Sequence, residues 1–309
     1  MSDYLKAHIQ VTLAMIIIGS FVVVSKLIIE RFPVFIASEL RMVIGAAILT
    51  GLLLMREKRF PKLSKRDFFI LFLQSLLGVF MFSVLMLYGL KLTTALESGI
   101  ITSTTPAIVA IISYILFKEK LSLNQGAGIL LAMIGAIVIN VFGVISNTNW
   151  TINSLIGNLL ILGAVIGEGI FFTFGKLVSS KISPLFITTM TAIIGAILFL
   201  PFSIYQASSF SFRFVTTIDW LLIAYSGVVV TVIAVLLMNQ GMKRISGNSA
   251  AVLTAVMPIS AVIFSYYFLN ESLYWYHLVG ISFVLAGIFF ISKEPSTDIE
   301  ADKQTRLSS

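Results

Sequence analysis

The side chains with most scope for chemistry in this 309-residue sequence are ionisable groups set inside long apolar runs: Lys26, Glu39, Arg41, Glu97 and Glu168. A charge held away from water is costly and usually faces a cavity or a partner. Glu168 is the deepest of them. In a helix over 155–177 it lies about 14 Å from one end and about 20 Å from the other, at about 1.5 Å per residue. Gly163, Gly167 and Gly169 leave open backbone around it, so a helix or a substrate can approach closely. A desolvated carboxyl group there suits proton exchange or the binding of a positive group. The competing reading is a structural carboxylate locked to a base or a hydroxyl.

Glu39 and Arg41 are two residues apart, so on a helix they point away from each other and need separate partners. For Arg41 a structural salt bridge and a substrate contact stand level. Lys26 can snorkel to an interface, and Glu97 can be a solvated charge at a helix start; coupling or substrate binding is the alternative for both. Pro106 and Pro258 lie mid-run, where proline removes one backbone bond and pushes against the carbonyl four residues earlier. Those carbonyls belong to Thr102 and Thr254. With Ser103 and Thr105 they fit the wall of a wet cavity, although such hydroxyls also return to their own helix.

The elements that position these residues are membrane helices. Hydrophobic residues make up 58% of the chain and charged ones 11%, and the mean hydropathy is +1.02. Apolar runs predict ten spans, at 8–29, 34–55, 68–90, 95–117, 125–145, 155–177, 185–205, 219–239, 248–269 and 275–291. Their length and lack of alternation exclude a barrel. The first span leads straight into a second, unlike a cleaved signal.

Residues 88–139 align without a gap onto 240–291, including Gly89 on Gly241, Lys91 on Lys243, Pro106 on Pro258 and Glu119 on Glu271. Five helices per half is an odd number, so equivalent segments cross the bilayer in opposite directions. The expected fold class is therefore an all-α membrane protein of ten transmembrane helices in two inverted five-helix repeats. The halves are 1–145 and 155–292, joined by an outer loop at 146–154 and followed by a disordered cytoplasmic tail at 293–309. Glu119 and Glu271 read as structural tethers of spans 5 and 10. Gly128, Ala132 and Ala136 on span 5, and Ser282 and Ala286 on span 10, form small-residue faces that suit packing within the chain or a homodimer.

Charge sets the orientation. With a cytoplasmic N-terminus, sixteen of the 21 Lys and Arg residues fall on inner segments and only Arg31, Lys91 and Arg213 on outer loops. Trp150, Trp220 and Trp275 then sit at the outer interface. The net charge of +7 is a topology signal, and no basic soluble surface is left for nucleic acid. The absence of cysteine removes disulfides, thiolate metal sites and a cysteine nucleophile. No phosphate-binding glycine loop, HExxH motif or serine elbow appears, and His8 and His277 stand at span ends as interfacial side chains. The pattern predicts neither an enzyme nor a cofactor.

An ordered set of residues then carries a resemblance. The first half has Gly19-Ser20, Lys26, Pro33, Ala37, Arg41, Tyr88, Leu90, Thr93-Thr94-Ala95, Pro106, Glu119-Lys120-Leu121, Gly128 and Gly135. The second has Gly227, Lys243, Gly247, Pro258, Glu271-Ser272-Leu273, Gly280 and Gly287. The chain, over roughly 8–292, resembles the ten-helix EamA-type transporters of the drug/metabolite transporter superfamily. The resemblance implies a basket in which spans 1–4 and 6–9 line a cavity, Ser20 and Tyr88 among the lining, with spans 5 and 10 peripheral. It further implies export of a small amphipathic metabolite, such as an amino acid, from a bacterial cytoplasm, with protons as a candidate coupling ion. One departure stands out: Phe21 occupies the place where the family pattern puts Asn after Gly-Ser. The rival readings are a cationic drug exporter using proton antiport and, from another class, an intramembrane enzyme or a non-transporting scaffold.

Overall fold

Helix starts along the chain carry their own caps. Ser64, Thr94, Ser183 and Thr216 each accept a hydrogen bond from the backbone N–H three residues on, and Thr216 with Asp219 completes a reciprocal capping box. The computed structural model describes residues 3–57, 63–117, 123–146, 151–178, 182–242 and 256–292. Spans 1 and 2 are single helices, α1 (Asp3–Arg31) and α2 (Val34–Arg56). Span 3 runs through α3 (Lys65–Ser75), a π-helical segment Leu76–Met81 and α4 (Phe82–Leu92). Span 4 comprises α5 (Ala95–Thr102) and α6 (Thr105–Phe117), span 5 is α7 (Leu123–Ser146), span 6 is α8 (Ile152–Leu177) and span 7 is α9 (Pro184–Ala207). Span 8 consists of α10 (Thr217–Ala224), a π-helical segment Tyr225–Ala234 and α11 (Val235–Met242). Spans 9 and 10 are α12 (Val256–Leu269) and α13 (Trp275–Ser292).

Among the described residues, seven helical stretches are long and apolar enough to cross a bilayer, and three shorter apolar helices accompany them in spans 5, 9 and 10. The protein is an all-α membrane protein. Thr254, Glu119, most of the 146–154 connection and the tail after 292 lie outside the described residues.

Burial follows the membrane rule. Ile9, Leu13, Val43, Leu54, Ile197, Leu200, Leu278 and Leu285 are exposed, while Ser25, Gln74, Ser83, Asn158, Thr173 and Glu168 are buried. Apolar side chains face lipid, and polar ones must find partners inside. α7 and α13 pack against each other, and α13 also touches α5 and α6 at the edge of the bundle. Their seam is tight: a Cβ on Gly135 would lie 2.7 Å from the Gly280 carbonyl oxygen. This contact gives spans 5 and 10 a use within the chain.

Two features differ from simple straight spans. Span 4, read from the sequence as one kinked helix, is broken: Ser103 and Thr104 form a turn, and their N–H groups reach back three residues to the carbonyls of Ile100 and Ile101. Pro106 thereby becomes the second residue of α6, where its missing N–H costs little. The π-helical segments are the second feature. Leu76–Met81 corresponds in the repeat to residues 228–233, which fall within Tyr225–Ala234. Wide turns of this kind open backbone bonds at matched depths in both halves.

Candidate functional site

The break in span 4 leaves the Thr102 carbonyl without its usual partner, because the residue four positions on is Pro106. The Thr105 hydroxyl takes that role and lies 2.6 Å from the Thr102 oxygen. The same hydroxyl lies 2.6 Å from Oε2 of Glu168 on α8. A hydroxyl has one proton to donate. When the Glu168 carboxyl is neutral, its O–H can donate to Thr105 Oγ1 while Thr105 donates to Thr102. When Glu168 is ionised, it competes for the Thr105 proton and the Thr102 carbonyl loses its donor.

Glu168 and Thr105 are both buried. The charged groups on the elements packed against α8 stand at element ends: Lys65, Arg66 and Asp67 open α3, Lys91 is near the end of α4, and Glu97 opens α5. Beside Glu168 the backbones come close. A Cβ on Gly167 would lie 2.7 Å from the Leu77 carbonyl, and one on Gly78 would lie 2.6 Å from Phe171 Cβ. The π-helical segment of span 3 therefore presses on α8 one residue from the carboxylate. The repeat does not duplicate this arrangement. Met257 occupies the place of Thr105, and α1 has no acidic residue between Asp3 and Glu30.

The other hydroxyls of the break turn inward on their own helix. Thr102 donates to Gly99 at 2.8 Å, Thr104 to Ile101 at 2.7 Å, and Ser103 to Ile100. Thr105 is the one that reaches another span.

Arg41 points from α2 toward the interior. Nη2 donates to Ser83 Oγ on α4 at 2.7 Å, and the guanidinium carbon stands 4.9 Å from the Phe21 ring centroid. Glu39 is half-buried, and its Oε2 has no hydrogen-bond partner among the described residues. The two side chains do not pair, as their spacing requires. Ser20 Oγ is 2.7 Å from Tyr225 Oη, joining span 1 to the π-helical segment of span 8. Tyr88 stands edge-on to Phe35 at 6.3 Å. Phe35, Phe80, Phe199 and Phe202 form a connected aromatic group, with centroids 4.7 Å apart for Phe80–Phe199 and 4.9 Å for Phe35–Phe202.

Lys26 and Glu97 are brought together with Glu271 at the end of the bundle where α1 finishes. Lys26 Nζ donates to the Leu90 and Thr93 carbonyls, the second at 2.6 Å, as a cation at the C-terminus of α4 should. Glu97 is only 5% exposed, so it is not the solvated helix-start charge the sequence offered. Its Oε2 lies 2.6 Å from the Thr93 hydroxyl and 3.3 Å from Asn158 Nδ2. Glu271 follows Asn270, whose left-handed φ of 51° turns the chain back. The Glu271 carboxylate accepts from the N–H groups of Ala95 at 2.9 Å and Leu96 at 2.6 Å. It therefore caps span 4 rather than tethering span 10 alone. Burial pushes its carboxyl up, against the two backbone donors and the Lys26 ammonium. His277, in the first turn of α13, is buried and accepts from the Tyr274 N–H at 3.2 Å.

Sequence reasoning missed Ser83, Asn158 and the Glu271 cap. A lone Ser or Asn inside an apolar run was the available signal; the partners are too distant in the chain for spacing to reveal them.

A ten-helix duplicated bundle with a broken span and a buried carboxylate is the architecture of a membrane transporter. The EamA-like transporter family matches residues 5–141 and again 155–293, and this chain belongs to that family. It is 43% identical over 302 residues to the "Uncharacterized transporter YetK" of Bacillus subtilis (strain 168), covering 97% of this chain and 91% of that one. The "Uncharacterized transporter YdfC" of the same organism is 25% identical over 250 residues, covering 81% of this chain and 79% of that one. A crystal structure at 16% identity shares the fold with a TM-score of 0.68, over 93% of this chain and 98% of its own. The protein is a transporter of the drug/metabolite superfamily and not an enzyme.

Proposed function

We propose that the protein is a secondary transporter of the cell membrane that exports a small amphipathic metabolite, such as an amino acid or a related compound. Both termini are cytoplasmic in this reading. The observation that carries it is the Glu168–Thr105–Thr102 arrangement at the break of span 4. Gain or loss of a proton at Glu168 changes which group receives the Thr105 hydroxyl, and with it the satisfaction of the backbone where α5 meets α6. A proton exchanged against substrate is thus linked to the geometry of a cavity-lining span. Only one half of the repeat has the carboxylate, so one proton site would serve both gates.

The test is flux into sealed, ATP-free vesicles under imposed pH gradients. Glu168→Gln should abolish the pH dependence while the protein remains folded in the membrane. If Glu168 binds an ammonium group instead, the same change should weaken substrate affinity and retain the pH dependence. Unchanged affinity, flux and pH profile would remove Glu168 from both roles.

A second reading is favoured by the aromatic group of Phe35, Phe80, Phe199 and Phe202: export of cationic drugs by proton antiport, with Glu168 as the counter-charge. Transport of planar cations, with indifference to amino acids, would select it. Spans 5 and 10 are paired through Gly135 and Gly280, so a homodimer would use other surfaces.

A further inference from the structure

Arg41 is a cation in search of an anion. Its side chain is partly buried, between Ser83 of α4 and Phe21 of α1. No salt bridge to it is present among the described residues, and its nearest sequence candidate, Glu39, leaves the other side of α2. Of the guanidinium's five N–H donors, the one described bond goes to Ser83, whose side chain is fully buried. Phe21 lies over the guanidinium, and Phe82 stacks beside Phe21 with centroids 6.4 Å apart. The head is thus aimed and supported but not neutralised. An uncompensated buried charge is strongly unfavourable, whereas a planar carboxylate facing a guanidinium fork forms paired, charge-assisted bonds.

We infer that Arg41 is the receptor for the carboxylate of the transported molecule, held in position by Ser83 and Phe21. This inference rests on the metabolite-transporter reading and names the substrate class: an organic acid or zwitterion with one carboxylate and an apolar tail. One guanidinium in apolar surroundings matches a monoanion. A phosphate dianion would call for a second cation, and Lys26 is occupied by the Leu90 and Thr93 carbonyls. Phe21 supplies the aromatic face beside the Arg41 guanidinium. An aromatic face at that position accepts the flat guanidinium and leaves its in-plane donors free for the ligand.

Matched probes test it on the full-length protein: leucine, phenylalanine and methionine, their amides, and the corresponding acids lacking the amino group. Thermal stabilisation in detergent reads binding, and counterflow in proteoliposomes reads transport. At least one carboxylate-bearing probe should stabilise the wild type and its amide should not. Arg41→Gln should erase that preference, and Arg41→Lys should retain it with affinity about tenfold weaker, since an ammonium lacks the fork. Phe21→Asn should weaken the carboxylate probe about threefold and leave the amides unaffected. It also serves if Arg41→Gln fails to fold, which size-exclusion profiles would reveal.

Equal binding of acids and amides, an unchanged preference in Arg41→Gln, or no stabilisation by any carboxylate-bearing probe overturns the inference. The transporter reading is judged separately. ATP-free flux of amides or planar cations would preserve it while sinking the carboxylate receptor, and absence of any flux would sink both.

Discussion

Thr105 lies equally near two acceptors and has one proton to give, so substitutions at neighbouring hydroxyls should differ sharply in effect. Thr105→Val removes the donor to both Thr102 and Glu168 and leaves a buried carbonyl unsatisfied, a cost of about 1–3 kcal/mol. It should lower thermal stability, and it should also shift the pH profile of flux. Thr102→Val removes only a bond to Gly99 on the same helix, so its flux and pH profile should stay near wild type. Equal effects of the two substitutions, measured in the same vesicles, would refute the special place given to Thr105. Glu168 itself was legible in the sequence, because a carboxylate amid glycines and aliphatic residues is conspicuous. Its partner was not: four consecutive hydroxyls at 102–105 look alike until the turn at Ser103–Thr104 aims one of them at α8. Arg41 was legible as a charge needing company, while Ser83 and Phe21 come from other helices.

Helices touch through places where side chains are missing or backbone is free, and both kinds of contact can be tested. Gly167→Ala would put a Cβ 2.7 Å from the Leu77 carbonyl, forcing α8 away from the π-helical segment of span 3. Overpacking of this kind costs about 1–3 kcal/mol, so the melting temperature should fall even though alanine favours a helix. Gly51→Ala, at a position with nothing within 4 Å, should be neutral or slightly stabilising and serves as the control. The Glu271 cap makes a prediction in pH. Its carboxyl is raised above the ordinary value of 4.5 by burial, so the folded state holds the proton more tightly than the unfolded chain. Stability from this group is complete below the ordinary value and is lost as pH rises through the raised one. Melting curves from about pH 4 to about pH 7 should show wild type losing stability relative to Glu271→Gln; a parallel course would contradict the assignment. The spans themselves were readable as long apolar runs. The π-helical segments were not, since nothing in Leu76–Met81 or Tyr225–Ala234 departs from an ordinary apolar helix.

At the scale of the whole molecule, duplication and charge act together. In the inverted-repeat reading Glu119 and Glu271 occupy the same place in the repeat, and the two positions are expected on opposite sides of the membrane. The orientation expected from that reading rests on the Lys and Arg residues, sixteen on the predicted inner segments and three on the predicted outer loops. Three spans, the third to the fifth, separate the loop containing Lys62 from the connection containing Asn149, so these two positions should lie on opposite sides. The cysteine-free sequence makes the measurement clean. A cysteine placed at Asn149, in the connection between halves, should react with an impermeant maleimide on intact cells. One at Lys62, in the basic segment between spans 2 and 3, should react only after the membrane is opened. The reverse pattern would invert the entire assignment, turning the cap at Glu271 toward the cytoplasm and export into uptake. Reactivity of both positions on intact cells would mean that an odd number of crossings does not separate them, and the ten-span count would fail with it. The expected result fixes which gate the Lys26, Glu97 and Glu271 group belongs to: the outer one, tied by span 1, the end of span 3, the start of span 4 and the turn between spans 9 and 10.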